Sequence, residues 1–130
     1  MSTESDPLRF LVVDDTEDIR DLMSRMVVRL GHLADQAADG VEAVEALTRN
    51  DYDIMLLDLT MPRMSGEEVV RWLRENPDRG VGLDIVIISA WAGEQRAVLQ
   101  ELGVSTVLPK PLRGQQLRDL IDDKYARTSP

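Results

Sequence analysis

The 130-residue chain carries 24 acidic against 15 basic residues, a formal charge of −9, with 43% hydrophobic and 30% charged residues. That length suits one domain, and the balance is that of an ordinary globular protein rather than a disordered tail or a membrane protein. The charge repels the phosphate backbone of nucleic acid, and the lack of cysteine rules out a disulfide framework, a thiolate metal site and a cysteine nucleophile. No apolar run approaches the ~20 residues that span a bilayer, and the polar start from Met1 to Pro7 is unlike a signal peptide, so no membrane role is expected and the cytoplasm is the expected compartment.

Residues 1–7 read as a flexible tail. The tract Arg9-Phe10-Leu11-Val12-Val13 is apolar on consecutive positions and bounded by Asp14-Asp15, the pattern of a strand buried on both faces of a parallel sheet. Ile19, Leu22, Met23, Met26, Val27 and Leu30 recur at helical spacing, with Gly31 where a helix end wants a left-handed residue. A weaker strand from Leu33 to Ala37 comes next, then a helix from Val41 to Leu47 ending near Asn50, then the strand Ile54-Met55-Leu56-Leu57 running into Asp58. Ser65 can cap a helix carrying Val69, Val70, Trp72 and Leu73, which Asn76-Pro77 stops. Leu83 to Ile88 forms the fourth strand, Gly93 to Leu102 the fourth helix, and Thr106 to Leu108 a short fifth strand. The last helix bears Leu117, Leu120, Ile121 and Tyr125, and residues 127–130 read as a frayed tail to a domain spanning 8–126. Alternating strands and helices on short loops predict a doubly wound α/β sandwich with a five-stranded parallel sheet and five helices, though spacing leaves the strand order open.

Ligands of an open parallel sheet bind at the carboxyl ends of its strands. Here the first strand ends in Asp14 and Asp15, the third in Asp58 and the fourth in Ser89, while Lys110 comes just after the fifth. Clustered carboxylates repel, and the usual remedies are a raised pKa or a bound cation. Hard oxygen donors with room for water suit Mg²⁺. Lys110 adds a compact positive charge and Ser89 a hydroxyl donor, so the set contains what phosphoryl transfer onto a carboxylate requires.

Four tracts, Phe10 to Asp15, Leu56 to Gly66, Ile87 to Ala90 and Lys110-Pro111, resemble the signatures of the CheY-like receiver domains of response regulators, in that family's order and over most of the chain. The resemblance implies a flavodoxin-like sheet of order 2-1-3-4-5, and a phosphoacceptor of two-component or phosphorelay signalling whose only catalysis is its own phosphorylation and dephosphorylation. Carried over position by position, Asp58 is the phosphoacceptor and Asp15 the direct ligand of Mg²⁺, for which Mn²⁺ can substitute. Asp14 reaches the metal through water, and the backbone carbonyl of Thr60 completes the protein ligands. Ser89, the Ala90 backbone N–H and Lys110 bind the phosphoryl group, and the Lys110-Pro111 bond is expected to be cis. The implied donor is a histidine kinase or a histidine phosphotransfer protein, with an output partner on the face of the fourth helix, fifth strand and fifth helix. Two positions depart from the pattern. Val107 stands where the family often has an aromatic switch residue, and Trp91 sits with Thr60 at the expected mouth of the site. Both would shape access to the phosphoryl group and its switching.

Simpler readings exist for single residues. Asp14-Asp15 alone could start a helix, His32 reads as a solvated turn residue, Trp72 as packing against the sheet, and Met23, Met26, Met55, Met61 and Met64 as packing and loop residues rather than a ligand surface. As a whole, the alternative is a phosphorylation-independent pseudo-receiver used for protein binding. A dehalogenase-type phosphatase wants an acid where Thr60 stands, and the acidic run Asp14 to Asp18 would repel a flavin phosphate.

Overall fold

The computed structural model describes residues 6–90, 96–104 and 106–128. Five strands, β1 (Arg9–Val13), β2 (Leu33–Ala37), β3 (Ile54–Leu57), β4 (Asp84–Ser89) and β5 (Thr106–Pro109), alternate with α1 (Glu17–Arg29), α2 (Gly40–Arg49), α3 (Gly66–Glu75), α4 (Arg96–Glu101) and α5 (Gly114–Thr128). All pairings are parallel, in the order β2-β1-β3-β4-β5. The doubly wound fold is the one the pattern of elements predicts, and the strand order is the one the family resemblance implies.

Strict alternation along the buried strands divides the core into two layers. Leu11, Val13, Met55, Leu57 and Ile87 face one way and pack with Leu47 of α2, Val69, Val70 and Leu73 of α3, and Leu99 of α4. Phe10, Val12, Ile54, Leu56, Val86 and Ile88 face the other way, onto Met23 and Val27 of α1 and Leu117 and Ile121 of α5. The register sets Val13 beside Leu57 and Leu57 beside Ile87. The central strands therefore reach a common level, and the residues beyond them share one edge of the sheet.

Local signals account for the helix ends. Ser65 caps α3 in a reciprocal box: its Oγ accepts from the Glu68 amide at 3.2 Å, and Glu68 Oε1 accepts from the Ser65 amide at 3.1 Å. Gly31, past α1, takes a φ of +92°. Trp72 packs against the first core layer, as expected, and so do the half-buried Met61 and Met64.

Three details differ from the sequence reading. β4 begins at Asp84 rather than Leu83, and it ends in Ser89 as expected. Residue 127 does not begin a frayed tail, because α5 continues to Thr128 with Arg127 paired to Asp123 at 3.0 Å and to Asp84 of β4. His32 is not a solvated turn residue. Its Nδ1 accepts the Leu8 amide at 3.0 Å, its ring lies between Phe10 and Tyr125 with centroids 6.2 and 5.9 Å away, and burial pushes its pKa down. The predicted start of the fourth helix at Gly93 lies outside the described residues.

Ser65→Ala removes one half of the α3 box and is expected to lower stability by about 1 kcal/mol, whereas Ser65→Asp, which can still cap, stays near wild type. Urea unfolding measures both, and an unchanged midpoint for the alanine variant would contradict the capping account.

Candidate functional site

The site is built one residue beyond the strands, where the ladder still holds the backbone. The Asp14 amide donates to the Ala37 carbonyl at 3.2 Å, the Asp58 amide to Val13 at 3.0 Å, and the Lys110 amide to Ser89 at 3.3 Å. Sheet hydrogen bonds thus fix the Cα positions of Asp14, Asp58 and Lys110 before any side chain interacts. The Lys110-Pro111 peptide is cis, as expected.

Asp14, Asp58 and Ser89 are withdrawn from solvent, at 0%, 5% and 2% exposure, while Asp15 stands exposed beside them. One ligand oxygen from each of Asp14, Asp15 and Asp58 can be chosen so that all lie within 4.8 Å of one another. Lys110 Nζ bridges the two buried acids, 2.9 Å from Asp14 Oδ2 and 3.4 Å from Asp58 Oδ1. Asp14 divides its roles: Oδ1 accepts the Thr16 amide at 2.9 Å and shapes the turn into α1, while Oδ2 faces Lys110 outside hydrogen-bond geometry. Among the described residues, Asp14 Oδ2 is the only buried side-chain polar atom lacking a hydrogen bond. Its nearest charged neighbour is the Lys110 ammonium, 2.9 Å away.

The charges are unevenly matched. Burial raises the Asp58 pKa from 3.8 to about 6; Lys110 pulls it down, Asp14 pushes it up, and the Thr60 amide lowers it by bonding the carboxylate. Burial by itself would lower the pKa of Lys110, but the Asp14 and Asp58 carboxylates outweigh it and raise the value. One ammonium therefore faces two buried acids and a third at the rim. An all-oxygen donor set with net negative charge, its carboxylate oxygens within 4.8 Å of one another, fits a hard divalent cation.

The other expected residues are more dispersed. Thr60 is exposed at the start of the loop after β3. Ala90 is exposed directly after β4. Val107 is buried, 7% exposed, in the core layer that contains Ile87, Leu99 and Val104, so it lines the inside of β5 rather than the mouth of the site. Trp91 lies outside the described residues.

Sequence reading missed Arg20 of α1, whose Nη1 donates to the Asp14 carbonyl at 2.9 Å and whose Nε donates to Gln36 Oε1 at 2.9 Å, bracing the first acid from behind. It also missed Gly66, where a Cβ would stand 2.3 Å from the Asp58 carbonyl oxygen. Arg20 had no signal in the sequence, since its partners depend on a rotamer; the glycine was visible only as part of a family signature.

A doubly wound sheet with an acid triad and a lysine at its carboxyl edge defines a signalling module of the receiver type. Comparison with known proteins agrees. Residues 10–122 match the family model of the response regulator receiver domain, and the chain belongs to that family. It is 35% identical over 125 residues to the response regulator MprA of Mycobacterium sp. (strain KMS), covering 95% of this chain and 53% of that protein. The chain thus spans about half the length of the curated relatives it matches. Among solved structures it resembles the receiver domain of the Francisella response regulator 1452, with a TM-score of 0.82, 26% identity and coverage of 94% and 99% of the two chains. It also resembles TrrA of Thermotoga maritima, solved in complex with Mg²⁺-BeF, with a TM-score of 0.78, 27% identity and coverage of 90% and 98%. No helix among the described residues is long and apolar enough to cross a membrane.

Because Asp58 binds its proton more tightly folded, at about 6, than at its ordinary 3.8, its charge costs stability above about pH 6 and the cost vanishes as the group protonates. Asp58→Asn is therefore expected to melt higher than wild type in chelator at about pH 8, with the gap closing as pH falls through about 6. A gap of constant size, or one that widens in acid, would contradict this account of the buried carboxylate.

Proposed function

We propose that the chain is a phosphoacceptor that takes a phosphoryl group onto Asp58 from a histidine kinase or histidine phosphotransfer protein in the cytoplasm. The observation that carries this reading is the buried Asp58 carboxylate, with Lys110 Nζ 3.4 Å away and the acidic pair Asp14-Asp15 within metal-sharing distance. Asp14, Asp15, Asp58 and the Thr60 backbone carbonyl would hold Mg²⁺, a role Mn²⁺ can fill. When bound, the metal neutralises the acid cluster and the phosphoryl oxygens that approach it. The complex of TrrA with Mg²⁺-BeF supports the choice of metal.

The chemistry is a displacement at phosphorus. An Asp58 carboxylate oxygen forms a P–O bond as the bond to the donor's leaving group breaks, and that group departs with the electron pair. Lys110 offsets charge on one phosphoryl oxygen, and the Ser89 hydroxyl and Ala90 backbone N–H donate to others.

The added charge then acts on the fold. Ser89 ends β4 and Lys110 comes just after β5, so donors drawn toward the phosphoryl group move the segments leading to α4 and α5. This favours an output partner on the face of α4, β5 and α5. With Val107 packed inward, no aromatic ring at that position can take part. Thr60, exposed at the start of the loop after β3, would control access of water to the acyl phosphate and hence its lifetime, a role the family resemblance extends to Trp91.

Acetyl phosphate with Mg²⁺ is expected to add one phosphoryl group per chain, stable in acid and released by mild base, as an acyl phosphate behaves. Asp58→Asn should abolish the addition, measured by intact mass, and chelator should suppress it in the wild type. Labelling that persists in Asp58→Asn would remove Asp58 from the role.

A further inference from the structure

The loop from Leu59 to Ser65 is held at its base and at its tip. At the base, the Gly66 amide donates to the Leu59 carbonyl at 2.9 Å, and Gly66 presses against the Asp58 carbonyl, where no side chain fits. At the tip, two consecutive loop residues meet the two residues that begin α2. The Gly40 amide donates to the Met64 carbonyl at 3.1 Å, and Arg63 Nε donates to Asp39 Oδ2 at 2.7 Å. A Cβ at Gly40 would stand 2.3 Å from the Met64 carbonyl oxygen, so this approach is backbone on backbone.

The ion pair at the tip joins an exposed guanidinium to a nearly buried carboxylate, so like most surface pairs it adds little to overall stability while still fixing where the loop runs. The Asp39 side chain is only 9% exposed, and its other oxygen accepts the Glu42 amide at 2.9 Å as the cap of α2, so the carboxylate is fixed on both sides. Arg63 has a φ of +65°, a left-handed conformation that a non-glycine residue keeps only where its surroundings impose it. The loop path is thus dictated by contacts to α2 and not by local preference. Between tip and base lies Thr60, two residues after Asp58 and exposed.

We propose that the Asp39–Arg63 pair is a positioning element for the divalent cation, setting the loop so that the Thr60 carbonyl completes the shell made by Asp14, Asp15 and Asp58. The proposal rests on the Mg²⁺ reading given above. Neither Asp39 nor Arg63 is a ligand; they act through the loop, as outer partners of metal ligands do. Two variants isolate this role from folding. Asp39→Asn keeps the α2 cap but removes the charge, and Arg63→Gly removes the pair while accepting the left-handed backbone. Charge and geometry also make opposite forecasts for Arg63→Gly. Loss of a nearby cation alone would tighten Mg²⁺ binding, whereas loss of the loop's anchor weakens it.

Calorimetric titration with MgCl₂ of the wild type, both single variants and the double variant, beside thermal melts in chelator, tests the proposal. The Mg²⁺ dissociation constant is expected to rise about 10-fold in each single variant and no further in the double, because both remove one contact. Melting in chelator should stay close to wild type. Wild-type affinity in the variants, tighter binding in Arg63→Gly, or a loss of affinity matched by a collapse of metal-free melting would overturn the proposal while leaving the metal site in place. A wild-type protein that takes up no Mg²⁺ would instead overturn the metal reading, and this inference with it.

Discussion

The ammonium of Lys110, set between Asp14 at 2.9 Å and Asp58 at 3.4 Å, is the interaction on which the carboxyl edge of the sheet depends. Two carboxylates withdrawn from solvent at this separation could not both stay ionised in the absence of a cation. Lys110 makes the arrangement tolerable without making it neutral: burial and the Asp14 charge still raise the Asp58 pKa to about 6, and Asp15 adds a third carboxylate at the rim. The fold therefore holds a negative charge imbalance in place, and that imbalance is what a divalent cation would answer.

The rigidity needed to hold it comes from the sheet. Leu11, Val13, Met55, Leu57 and Ile87 on one face, and Phe10, Val12, Ile54, Leu56 and Ile88 on the other, leave the central strands no freedom to separate. Asp14 and Asp58 sit a single residue past that packing and Asp15 two, so their backbones inherit its order while their side chains reach solvent or one another. The connecting loops add a second kind of control. Arg20 supports the Asp14 carbonyl from α1, and the contacts of Gly40 and Asp39 bring the start of α2 against the loop after β3. The site thus reports to two helices besides those on its expected output face.

How much of this could be read from the sequence depends on where each feature's partners lie. The central strands were legible because continuous burial leaves continuous apolar runs, and the acids and Lys110 were legible because they interrupt those runs at fixed places. β2 was faint because it is an edge strand whose residues are mostly exposed, so its pattern of Leu33-Ala-Asp-Gln-Ala37 carries little periodicity. His32 and Arg127 were misread for a shared reason. Each looks solvated among its sequence neighbours, and each is held by residues far away, Leu8, Phe10 and Tyr125 in one case and Asp84 in the other. The pair formed by Asp39 and Arg63 left no trace at all, since it depends on a left-handed residue in the middle of a loop.

Melting of the wild type and of Asp15→Asn with and without Mg²⁺ addresses the charge imbalance most directly. Asp15 is exposed and packs against nothing in the core, so its replacement changes charge and metal ligation without opening a cavity. Repulsion among the acids predicts that Asp15→Asn melts higher than wild type in chelator. Mg²⁺, which binds the native state alone, should raise the melting temperature of the wild type and have little effect on the variant. A variant that melts lower in chelator, or that responds to Mg²⁺ as strongly as the wild type, would contradict the view that this edge is organised around unbalanced carboxylates awaiting a cation.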